Sequence, residues 1–122
     1  MARVNLSVIE LTDRGVCSAT VANANIFTAV DATAGADFAM ADRDEKYLIA
    51  VQNVASAAKT VTVKAGNGFQ AGEDLVCEVP ATSTVTLSLD SGRYKQVSGE
   101  DKGKVVILGA DANIKVAVFK LP

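Results

Sequence analysis

The 122-residue chain has no histidine and no tryptophan, and it holds only two cysteines, two prolines, four phenylalanines and two tyrosines. Each shortage removes some chemistry. Without His there is no Ser-His or Cys-His nucleophilic pair, no His-ligated zinc, and no imidazole to titrate near neutrality. Asp and Glu alone suffice for a paired-carboxylate glycosidase, but the missing aromatic platforms weigh against sugar chemistry and against a carbohydrate-binding module. A Ser-Lys pair needs no His, yet nothing in the spacing singles one out. Charge of either sign is scarce in excess: 12 Lys plus Arg against 14 Asp plus Glu gives a formal net charge of −2. Nucleic-acid binding is driven by clustered cations releasing counterions, so no nucleic-acid partner is expected.

Long apolar runs are also missing, and none approaches the roughly 18 residues of a membrane helix. The opening Met1-Ala2-Arg3-Val4-Asn5-Leu6-Ser7 alternates polar and apolar residues, unlike the charged start and apolar core of a secretory signal. A chain made in the cytoplasm, with no membrane partner, is the expectation. In that reducing compartment Cys17 and Cys77 are expected to be two buried thiols, although their parity allows a disulfide.

What the sequence does have is β-forming residues. With 49% hydrophobic and 21% charged residues, the length suits one domain with a real core. In Lys59 to Ala65, Val61, Val63 and Ala65 share one face while Thr60, Thr62 and Lys64 share the other. Ser83 to Leu89 repeats this with Val85, Leu87 and Leu89, and Asn113 to Phe119 with Ile114, Val116 and Val118. Such alternation predicts half-buried antiparallel strands, because successive side chains point to opposite faces. Weaker strands are predicted over Val4 to Leu11, Tyr47 to Val54, Leu75 to Val79, Arg93 to Val97 and Lys104 to Leu108. Gly-, Asn- and Asp-rich turns separate them. The expected fold is all-β, a single-domain antiparallel sandwich spanning 1–122, either jelly-roll-like or immunoglobulin-like.

Residues 15–44 break the rhythm, being rich in Ala, Thr, Asn and Asp. They read either as a surface connection with a short strand near Asn25 to Val30, or as an irregular arm that orders against a partner.

Three motifs stand out. Gly66-Asn67-Gly68-Phe69-Gln70-Ala71 matches G-x-G-x-x-A formally, but Gly72-Glu73-Asp74 follows and leaves no room for the helix that a dinucleotide site needs, so a glycine turn is expected. Asp42-Arg43-Asp44-Glu45-Lys46 lacks the register of an EF-hand and reads as a solvated, salt-bridged turn. Leu89-Asp90-Ser91-Gly92-Arg93-Tyr94-Lys95 concentrates residue types favoured at protein contacts. Arg93, Tyr94 and Lys95 are therefore candidate interface residues, against the plainer reading of a hairpin turn with Tyr94 capping the core. No catalytic, cofactor or metal residue is assigned, and no enzyme activity is expected.

From Tyr47 to Pro122 the chain is similar to small β-rich virion proteins of tailed bacteriophages. The likeness rests on Leu48-Ile49-Ala50-Val51-Gln52-Asn53, the Lys59 to Gly68 segment, Ser91-Gly92-Arg93-Tyr94 and Ile114-Lys115-Val116-Ala117-Val118. Proteins of this kind are often capsid decoration (cement) or other accessory head proteins. The resemblance implies a non-enzymatic protein on the virion surface that binds the major capsid protein and itself, as a homo-oligomer such as a trimer, and stabilises the shell without a cofactor. A tail, neck or baseplate component, or an adhesion module, is the alternative. A segment that lies on the shell is sought in Val4 to Leu11 and the Ala-rich arm, which makes Arg3, Val4, Asn5 and Leu6 further candidate interface residues.

Overall fold

A computed structural model describes residues 3–11, 22, 26–69 and 72–122. Among these residues ten strands form two mixed sheets packed face to face as a single-domain β-sandwich. They are β1 (Val4–Asn5), β2 (Val8–Glu10), β3 (Thr28–Ala29), β4 (Ala36–Ala39), β5 (Tyr47–Asn53), β6 (Lys59–Val63), β7 (Leu75–Val79), β8 (Thr84–Leu87), β9 (Lys104–Gly109) and β10 (Ile114–Lys120). One sheet runs β1-β4-β9-β6-β7; the other runs β2-β10-β5-β8, with β3 also pairing β10.

The alternation seen in the sequence sets the faces. Val61 and Val63 on β6 and Ile114, Val116 and Val118 on β10 are buried, and Val85 and Leu87 on β8 pack against the same core. Phe38, Met40, Ile49, Val51, Val79, Val105 and Ile107 are the other large side chains fully buried in it. Large β-branched side chains meeting between two pleated layers provide most of the drive for folding.

The structure corrects the sequence in four places. The sandwich is not wholly antiparallel, because β1 runs parallel to β4 and β2 parallel to β10. A period of two is the same for either direction, so patterning alone could not reveal this. The predicted single strand from Val4 to Leu11 is two short strands, one in each sheet, with Leu6 buried between them as the chain changes layers. Within 15–44, irregularity gives way to a core strand. Asp31 and Gly35 close a turn by reciprocal backbone bonds of 3.2 and 2.9 Å, and β4 then lies between β1 and β9. Gly35 has φ +79°, and a Cβ there would sit 2.3 Å from the Ile107 carbonyl oxygen, so only glycine fits. Residues 15–21 and 23–25, Cys17 among them, lie outside the described residues. Cys77 is half-buried on β7.

Three connections that cross between the sheets at one end of the slab are short: 54–58, 80–83 and 110–113. At the other end the excursions are long, running 64–74 and 88–103. The fourth correction falls there. Arg93 to Val97 is not a strand but a helical turn, α1 (Ser91–Tyr94), followed by a single bridge from Lys95 to Val105. Asp90 starts the turn: its Oδ1 accepts from the Gly92 N–H at 2.8 Å, and its carbonyl accepts from the N–H groups of Arg93 and Tyr94. That is the local preference of Asp before a helical turn overriding the neighbouring strand formers.

Candidate interaction surface

The short-connection end is fastened by one side chain that sequence reasoning passed over. Asn53 is buried at the end of β5, and its Nδ2 donates to the carbonyls of Ala57 (2.9 Å), Val79 (3.1 Å) and Pro80 (3.3 Å). Its Oδ1 accepts from the Ala55 N–H at 2.9 Å. The next N–H, of Val54, reaches the Asn113 carbonyl at 3.1 Å, so all three crossovers meet around this residue. Inside a strand phrase Asn53 looked like any polar residue, and only the topology brings its acceptors together.

The long-loop end is assembled differently. Gly66 donates to the Arg93 carbonyl at 2.7 Å, and a Cβ on Gly66 would stand 2.4 Å from the Lys95 carbonyl oxygen. Asn67 then accepts from the Val97 N–H at 2.7 Å and donates to the Ser98 carbonyl at 3.1 Å. Gln96 holds the Ala65 carbonyl at 3.0 Å. The first three residues of the G-x-G-x-x-A match thus form a clasp on segment 93–98, while Gln70 and Ala71 lie outside the described residues. The clasp leaves Phe69 fully exposed, and Val97, on which Gly68 packs, is 49% exposed.

Charge pairing is distributed unevenly over the slab. Arg3, Arg43, Lys46, Lys59, Lys64, Lys104 and Lys120 all meet carboxylates. Among the described residues Arg93, Lys95, Lys102 and Lys115 do not. Three of those four therefore belong to the loop end. A cleft of about 390 Å³ there is lined by Gly92, Lys95, Gln96, Val97, Lys102 and Gly103. Another, of about 440 Å³, lies across α1 between Arg93 and Tyr94 and the Gly72 to Leu75 stretch. Tyr94 itself packs against the core.

The N-terminal candidates are spread over different environments. Arg3 bridges Asp101 at 2.9 Å and the buried Asp37 at 3.3 Å, which ties β1 to β4 and to the turn before β9. The hydrogen bond to Asp101, ahead of that to Asp37, raises the pKa of its guanidinium. Val4 packs against the core, Asn5 is exposed, and Leu6 is interior. Asn5 is exposed there, Arg3 and Val4 offer part of their surface, and Leu6 offers little. The structure does not bring this group together with Arg93, Tyr94 and Lys95 as one patch, although Arg3 reaches the far side of the 98–103 turn through Asp101.

The acidic run behaves as its interleaved charges suggested. Arg43 pairs with Glu45 at 2.6 Å, and Asp42 holds Lys120 at 3.1 Å and Lys46 at 3.7 Å, around the 3-10 turn Asp44–Lys46. Among the described residues no group of three or more acidic or thiol side chains is placed to hold a metal ion.

A third exposed feature is the outer edge of β7. Bonds from the Ala110 N–H to the Thr60 carbonyl and from the Lys64 N–H to the Val106 carbonyl point the even residues of β6 towards β9. Its odd residues therefore bond β7, and this leaves the backbone groups of Val76 and Glu78 on an edge that no other strand among the described residues pairs. The Val76 side chain is exposed as well. No family model, curated protein or solved structure matches this chain.

Proposed function

We propose that the chain is a non-enzymatic structural protein of a phage virion, which binds the outside of the assembled capsid and stabilises it. The observation that supports this reading most is the division of labour within the slab. A rigidly pinned two-layer body presents unpaired cations and exposed apolar side chains on loops at one end, the arrangement of a protein that acts through its surface. Any protein that binds only the assembled shell stabilises that shell by linkage. The free edge of β7 is where self-association would add strands, since unpaired edges readily accept a partner.

The test is direct. Added at micromolar concentration to expanded shells that lack it, the purified protein should bind and raise their disruption temperature. Failure to bind the shells of its own phage rejects the reading, and labelling confined to the tail favours a tail or baseplate role.

A further inference from the structure

We infer that the cleft between α1 and the 98–103 turn is a binding site for an extended acidic segment of a partner protein, with an apolar residue between its carboxylates. For the identity of that partner the inference rests on the proposed function, in which the segment belongs to the shell protein. The cleft itself does not depend on that.

Three observations converge on it. Val97 lies in the cleft and is half exposed, an apolar floor that water covers in the free protein. Lys95 and Lys102 line the same cleft and Arg93 stands exposed beside it, and none of the three meets a carboxylate among the described residues. Lysines that line an apolar cleft lay their carbon stems along it and hold their ammonium groups at the rim. Finally, the walls are fixed before any ligand arrives. Val97 and Ser98 are held by Asn67, and Gln96 exchanges backbone bonds with Lys104 (2.9 Å) and Gly103 (2.7 Å). A site whose walls are already ordered costs less to occupy.

Charge complementarity selects an acidic ligand, and the surroundings select a peptide over a nucleic acid. Glu100 and Asp101 sit on the adjoining turn and Glu73 beyond α1, in a chain of net charge −2. A long polyanion would meet these carboxylates, whereas a short segment engages the cations alone. The neighbouring acids are partly occupied: Asp101 by Arg3 at 2.9 Å and Asp90 by the Gly92 N–H at 2.8 Å.

The probe is a labelled octapeptide alternating glutamate and leucine, followed by fluorescence anisotropy on the full chain. Saturable binding is expected, with a Kd on the order of 100 μM that weakens with salt. The double variant Lys95→Glu, Lys102→Glu should bind at least about tenfold more weakly while its thermal melt is unchanged. Lys115→Glu, which alters a cation on β10 that meets no carboxylate among the described residues, should bind like the wild type. The inference is overturned by no saturation at about 1 mM, by equal binding of a glutamine-leucine peptide, by an equal loss in Lys115→Glu, or by equally tight binding of a short single-stranded oligonucleotide. Shell binding separates the two claims. If the double variant loses the peptide but binds shells as the wild type does, the shell protein is not the cleft's partner and the proposed function survives. If the wild type binds the peptide but no shells, the proposed function falls and the cleft stands.

Discussion

The two ends of the sandwich solve opposite problems with similar residues. At the short-connection end, Asn53 satisfies three carbonyls and one N–H from connections that each join one sheet to the other. At the long-loop end, Asn67 makes two bonds to a single segment, 97–98, which stays on the surface. Both are asparagines that use both ends of the amide. One is buried and holds the layers in register, and the other is exposed and shapes a surface. The contrast teaches that burial and the number of chain segments joined, not the residue type, decide whether an amide serves the fold or the surface. Substitutions at the first end should therefore register in stability, and those at the second in local order and binding.

The largest effect is expected from Asn53→Ala. It strands buried acceptors from two crossovers and the Ala55 N–H, for a loss of about 2–3 kcal/mol and a melting temperature lower by roughly 10 °C. A drop no larger than that of an exposed Asn→Ala change would abolish the contrast. Asn67→Ala should cost less than about 1 kcal/mol globally, because its partners can turn to water. It should still speed hydrogen exchange at the Val97 amide severalfold, since that N–H loses its acceptor. Thr82 sharpens the comparison from the other side. It is a β-branched residue at φ +51° in the 80–83 crossover, held by a bond from its N–H to the Ala55 carbonyl. Thr82→Asn should raise stability by up to about 1 kcal/mol, as Asn tolerates that backbone region better.

Acid gives the smallest and most even effect. Asp111 at the short-connection end is held below its ordinary value of 3.8 by the Asn113 N–H and then by Lys59. Asp74 at the other end is lowered in the same direction by the Ala65 N–H and then by Lys64. A lowered carboxyl pKa means stabilisation that is complete above the ordinary value and lost as pH falls through the lowered one. Thermal melts should thus be flat from about pH 8 to 5 and decline below about pH 4. Asp111→Asn and Asp74→Asn should each flatten that decline slightly, and a decline that begins near neutrality would contradict the assignment.

How much of this was legible depended on whether a residue's role is local. Val61, Val63, Ile114, Val116 and Val118 show their faces by alternation alone, and the core is built on them. β4 was hidden because its Ala36-Asp37-Phe38-Ala39 carries weak strand formers and an acid, and Asp37 is tolerated in the interior only because Arg3 and Lys104 approach it from elsewhere in the chain. Asp90 announced a turn, but the strand formers after it disguised the helical turn it starts. The glycines of 66–68 were correctly a turn, while their reason, the close approach of the Lys95 carbonyl, lies some thirty residues away. The candidate surface was half readable: Arg93, Tyr94 and Lys95 stand at the loop end, Lys102 and Phe69 were not singled out, and Leu6 went to the core.

The most direct measurement is a hydrogen-exchange footprint of the chain on and off expanded shells. The account predicts new protection concentrated in 66–69 and 92–103, with 54–58, 80–83 and 110–113 unchanged. Protection centred on those three short crossovers, or spread evenly over the slab, would contradict it.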